Sequence, residues 1–90
     1  MRPVLVVSNN INNKHSLTVT VLPITSNIGR VYPFDVFLLK GEGNLPKDSK
    51  VKTDQIRTID KSRLTKEIGT VSEYIMNEAE QAIKVHLNLK

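Results

Sequence analysis

Apolar positions fall in short blocks separated by polar or glycine-bearing segments, which predicts a β-rich chain. Val4 to Ser8 is a compact, valine-rich run with Pro3 at its edge, and reads as a buried strand. Asn9 to Ser16 is a polar turn cluster. Leu17 to Thr25 alternates β-branched and apolar residues, which predicts a second strand with Pro23 at a bulge or edge position. Asn27 to Arg30 is a loop that Pro33 closes, and Phe34 to Lys40 is a third strand. Gly41 to Asn44 is a turn. Lys50 to Thr53 and Gln55 to Ile59 make one long strand or two short ones around Asp54. Asp60 is placed to cap a helical turn over Lys61, Ser62, Arg63 and Leu64, and Thr65 to Thr70 admits a last short strand.

The pattern changes period near the end. Ile75, Met76, Ala79, Ala82, Ile83 and Leu87 recur at helical spacing and form one apolar stripe. Glu73, Asn77, Glu80, Gln81 and Lys84 occupy the other face, and Ser72 is a suitable N-cap. An acidic polar face argues against a helix lying on a membrane surface, so the stripe is assigned to core or dimer contact. Several short strands and one terminal helix predict a small, twisted β-barrel with the helix packed on it. Ninety residues are expected to form one domain, 1–90.

Charge narrows the partners. Thirteen Lys and Arg face nine Asp and Glu, for a formal charge of +4. The excess is concentrated between Lys47 and Lys66, where Lys50, Lys52, Arg57, Lys61 and Arg63 also lie. Such a segment suits a polyanion or an acidic peptide, although composition alone favours a solvated basic face. No apolar run is long enough for a membrane span, and the N-terminal run is too short for a signal peptide, so a cytoplasmic protein is expected. There is no Cys, and no cluster has metal-ligand spacing, so neither a metal site nor a cofactor is predicted.

Little conventional catalytic equipment is present. The two histidines, His15 and His86, lie in a polar turn and near the helix end, and read as exposed residues rather than an imidazole pair. No glycine-rich phosphate loop precedes a helix, and no base accompanies a serine nucleophile. What remains is the equipment of phosphate recognition: Arg, Thr and side-chain amides. A guanidinium offers a planar fork of donors to phosphate oxygens. On the residues alone, the favoured reading of Arg2 is an exposed terminal charge and that of Thr25 an ordinary strand threonine. Arg57 and Asp60 are either phosphate contacts or a structural ion pair.

Three local motifs bear on the readings of Arg2 and Thr25. They are Arg2-Pro3-Val4-Leu5-Val6-Val7-Ser8-Asn9, then Leu22-Pro23-Ile24-Thr25-Ser26, then Asp54-Gln55-Ile56-Arg57-Thr58-Ile59-Asp60-Lys61-Ser62-Arg63-Leu64. In this order and at these separations the chain resembles the MazF/PemK family of toxin endoribonucleases, from Arg2 to about Leu87. The resemblance implies a mainly β fold, an SH3-like small barrel of the MazF/PemK/CcdB type with a C-terminal α-helix. It implies the toxin component of a type II toxin–antitoxin system, acting as a metal-independent, sequence-selective endoribonuclease on single-stranded mRNA. It carries the family's catalytic Arg onto Arg2 and its partner Thr onto Thr25. Attack of a ribose 2′-hydroxyl on its own 3′ phosphate then leaves a cyclic phosphate and a free 5′-hydroxyl. Ser8, Asn9 and Gln55 are implied RNA contacts, and Lys50, Lys52 and Lys61 fit backbone steering or contact with an acidic antitoxin. The implied partners are single-stranded RNA, an acidic antitoxin and a second copy in a homodimer.

The family usually carries a strand and a mobile loop ahead of the Arg-Pro strand, whereas Met1 directly precedes Arg2 here. The expectation is the toxin fold without its first strand and first loop, which leaves Val4 to Ser8 with an open edge. That motivates an alternative in a different class. It is a non-catalytic module of the same fold that binds the antitoxin or a full-length toxin partner.

Overall fold

The computed structural model describes residues 3–8, 15–30, 32, 35–64 and 67–88. Five strands are present among them: β1 (Val4–Val6), β2 (Thr18–Thr25), β3 (Asp35–Leu38), β4 (Ser49–Lys52) and β5 (Arg57–Asp60). A 15-residue helix, α1, runs over Glu73–Leu87. The fold is the expected one, an antiparallel, barrel-like sheet with a C-terminal helix.

β2 is the axis of the sheet. It pairs with β1 through Val4↔Pro23, Leu5↔Leu22 and Val6↔Val21. Its first half pairs with β5, from Thr18↔Asp60 to Val21↔Arg57, and its last residues pair with β4 through Ile24↔Val51 and Thr25↔Lys50. β3 flanks β4, with Asp35 opposite Lys52. β4 and β5 therefore follow one another along β2. A 3₁₀ turn over Thr53–Gln55 interrupts them, which resolves the expectation around Asp54 in favour of two short strands.

Burial along β2 changes phase. Val19 and Val21 are buried at odd positions, then Leu22 and Ile24 at even ones. A period-two strand can bury neighbouring residues only where both of its faces are covered. The even set joins the main core. There Leu22, Leu38 and Val51 are fully buried with Ala79 of α1, in one cluster with Ile75 and Ala82. Each fully buried aliphatic side chain contributes about 1.5–3 kcal/mol. Alanine at 79 and 82 lets the helix approach the sheet, where larger residues would overpack.

Several sequence expectations change. Leu87 is 47% exposed, so the apolar stripe of α1 is buried at Ile75, Ala79 and Ala82 and not at its last turn. Residues 67–70 are not a strand; they are fastened to the turn at Glu42–Asn44. There the Asn44 amide donates to the Ile68 carbonyl at 2.7 Å, and Ser72 N–H donates to Glu42 Oε1 at 2.8 Å. Ser72 caps α1 as expected, accepting from Ile75 N–H at 3.3 Å. Asp60 precedes the turn at Lys61–Arg63 without a side-chain capping bond. Arg57 and Asp60 form no ion pair among the described residues, because positions three apart on one strand point to opposite faces.

Candidate nucleic-acid interface

The sheet of β2, β3 and β4 has two unlike faces, and the strand register dictates both. Ile24, Val51, Val36 and Leu38 point into the core. Thr25, Lys50, Lys52 and Asp35 point the other way, since Thr25 lies opposite Lys50 and Asp35 opposite Lys52. On that second face lies a cleft of about 460 Å³ lined by Thr25, Asn27, Arg30, Tyr32, Lys52 and Gln55, among others.

Thr25 ends β2 at the rim of this cleft. Its Oγ1 accepts from Asn27 N–H at 3.1 Å. That bond occupies an acceptor position and orients the side chain, while the hydroxyl proton remains free to donate into the cleft. Gln55 closes the 3₁₀ turn between β4 and β5 and is exposed, with both an amide donor and an amide acceptor to offer.

Charge is arranged less simply than the basic segment suggests. Lys50 is 6% exposed. Its ammonium donates to the Arg30 carbonyl at 2.6 Å and lies 3.5 Å from Asp35 Oδ2. It is therefore not the solvated steering cation expected from sequence; it holds the loop after β2 to the sheet at Arg30. Asp35 Oδ2 also accepts from Tyr32 N–H at 3.0 Å. Lys52 Nζ sits 3.9 Å from Asp35 Oδ1 and 3.8 Å from Asp54 Oδ1. Both oxygens lack a hydrogen-bond partner, so these are through-space charge pairs. Lys50 and Lys52 thus meet two carboxylates, Arg30 makes no ion pair among the described residues, and the cleft keeps a positive balance.

The other candidates separate. Ser8 accepts from Thr20 N–H at 3.3 Å and lines a second, larger groove on the far side of Thr25, where Arg57, Lys61 and Arg63 also lie. Thr25 and Asn27 belong to both concavities and form the ridge between them. Arg2 and Asn9 lie outside the described residues. The neighbouring Pro3 carbonyl accepts from Ile24 N–H at 3.1 Å, so the chain enters β1 beside the end of β2 that carries Thr25. Asn27, Arg30 and Tyr32 were not singled out in the sequence. The only signal for them was a cation and an aromatic residue in a loop directly after Pro-Ile-Thr. Among the described residues no group of His, Asp or Glu side chains could hold a metal ion.

A barrel-like sheet with a capping helix and a basic cleft of Thr, Gln and Lys side chains defines a small domain suited to phosphate-bearing ligands. The family model of PemK-like, MazF-like toxins of type II toxin–antitoxin systems matches residues 1–87, and the chain belongs to that family. It is 41% identical over 93 residues to the endoribonuclease MazF9 of Mycobacterium tuberculosis, an alignment covering 98% of this chain and 79% of that protein. Its fold superposes on the M. tuberculosis toxin MazF-mt6 with a TM-score of 0.90 at 29% identity, covering 99% of this chain and 88% of the other. A mycobacterial endoribonuclease solved in complex with its cognate antitoxin matches with a TM-score of 0.81 at 28% identity, covering 99% and 80% of the two chains.

Proposed function

We propose that this chain, a MazF-like endoribonuclease toxin of a type II toxin–antitoxin system, cuts single-stranded RNA at the Thr25 cleft without a metal ion. The observation that carries the reading is the Thr25 hydroxyl. Its oxygen already accepts from Asn27 N–H, which leaves its proton to donate to a ligand at the rim of a cleft of positive balance. Family membership supplies the chemistry. The ribose 2′-oxygen attacks the adjacent phosphorus, the bond from phosphorus to the 5′-oxygen breaks, and a 2′,3′-cyclic phosphate forms. The 2′-hydroxyl proton leaves to solvent, and the 5′-oxygen takes one up.

Charge develops on the phosphate oxygens in that step. Arg2 would stabilise it as a guanidinium that keeps its proton at neutral pH, with the Thr25 hydroxyl as a second donor. Gln55 is assigned to the RNA chain, and Lys52 to long-range attraction of it. An acidic antitoxin and a symmetric homodimer belong to the same proposal. The groove carrying Arg57, Lys61 and Arg63 between apolar walls suits an acidic, partly apolar peptide.

Purified protein is expected to cut a long single-stranded RNA in EDTA and to leave cyclic phosphate ends. Arg2→Ala is expected to abolish cutting, and Thr25→Val to slow it about 10²–10³-fold, the usual effect of deleting one transition-state donor. A magnesium requirement, or full activity in Arg2→Ala, would overturn the assignment. No cutting, together with salt-sensitive binding of an acidic peptide, would favour the non-catalytic binding module. Sedimentation at micromolar concentration tests the dimer, and a folded monomer there would remove it.

A further inference from the structure

Arg30 and Tyr32 form one lip of the Thr25 cleft. The Arg30 guanidinium lies 5.2 Å from the centre of the Tyr32 ring. Both residues are exposed, while their backbones are anchored from below. Arg30 gives its carbonyl to the buried Lys50 ammonium, and Tyr32 gives its N–H to the buried Asp35 carboxylate. Among the described residues Arg30 makes no ion pair. The cation and the ring are both exposed, on a loop pinned by buried charges. Together they present a flat, positively charged surface that is already held in place.

Unpaired bases stack on such surfaces. Aromatic rings and guanidinium planes both accept a base face, and the cation also favours the adjoining phosphate. We propose that Arg30 and Tyr32 are a stacking platform for one nucleobase of single-stranded RNA, next to the phosphate site at Thr25. Gln55, on the same cleft, offers its amide to that base's edge. Sequence preference then arises beside the cut from a surface loop, not from the groups at the phosphate. The inference rests on the reading of this cleft as an RNA site, and its test does not depend on cleavage. Holding the loop in advance lowers the ordering cost of binding, so the platform contributes its full stacking strength.

The chain has two tyrosines and no tryptophan, so a Tyr74→Phe protein emits from Tyr32 alone. Tyr74 is 69% exposed on α1, so the change is expected to leave the fold intact. This protein is titrated with a short, uncleavable 2′-O-methyl RNA of mixed sequence, and with an abasic chain of equal length and charge. The base-bearing chain is expected to quench the emission and to bind about tenfold tighter than the abasic one. Tyr32→Ala is expected to remove that advantage while leaving abasic binding unchanged, and Tyr32→Phe to preserve it. Arg30→Ala, which keeps the carbonyl that Lys50 uses, is expected to shrink the advantage as well. Absence of quenching, equal affinity for the two chains, or an equal loss on both in Tyr32→Ala each overturns the platform. Quenching without cleavage of long RNA leaves the platform standing and removes the nuclease reading; cleavage with unmoved emission removes the platform alone.

Discussion

Replacing Asp35 with asparagine keeps the shape of the side chain and removes its charge. The Asp35 side chain is 0% exposed, and the Lys50 side chain 3.5 Å away is 8% exposed. Lys52 is more exposed and retains Asp54, so the charge left stranded is that of Lys50. Breaking a buried pair by removing one partner costs about 3–5 kcal/mol, because the survivor stays in low dielectric. Here the new amide oxygen can still accept Tyr32 N–H, and Lys50 keeps its bond to the Arg30 carbonyl. The lower end, about 3 kcal/mol, is therefore expected. That is a large share of the roughly 5–15 kcal/mol that stabilises a typical domain.

Urea unfolding followed by circular dichroism reads the loss directly. With a slope of about 1.5 kcal/mol per molar urea, the midpoint should fall by about 2 M. Lys50→Met should cost a similar amount, since it takes the nearer cation from the buried carboxylate and the ammonium donor from the Arg30 carbonyl. The double variant Asp35→Asn with Lys50→Met should be more stable than the two losses added together, with a coupling of about 1–3 kcal/mol. A midpoint shift below about 0.5 M for Asp35→Asn, or strict additivity in the double variant, would refute the view that this pair is held by burial.

Two further changes test how residues 67–72 are held between the turn at Glu42–Asn44 and α1. A Cβ at Gly69 would lie 2.5 Å from the Gly43 carbonyl oxygen and 2.6 Å from its carbon, both backbone atoms, so Gly69→Ala should cost about 1–3 kcal/mol in thermal unfolding. An unchanged melting temperature would mean that residues 67–70 do not press on the turn. Ser72→Ala removes the bond to Ile75 N–H and should cost about 1 kcal/mol, or about 4–8 °C in a chain of this size; no shift would mean the cap is idle.

The sequence by itself determined what local periodicity can encode. Alternation located β2 to within a residue, glycines marked the turn at 41–44, and Ser72 with the 3.6-residue stripe set the start of α1 and its buried positions Ile75, Ala79 and Ala82. Motifs identified the family and pointed to Thr25 and Gln55. Tertiary structure alone decided what each charge does. Lys50 and Lys52 are two residues apart on one strand, yet Lys50 is shut between Asp35 and the Arg30 carbonyl while Lys52 stands nearer solvent. Nothing local distinguishes them, because their partners come from β3 and from the loop after β2. The gathering of Asn27, Arg30 and Tyr32 around Thr25 has the same origin, as does the parting of Ser8 into another groove. Loop side chains follow no period, so their direction is set by the long-range bonds that pin the backbone: Lys50 to Arg30, and Tyr32 to Asp35.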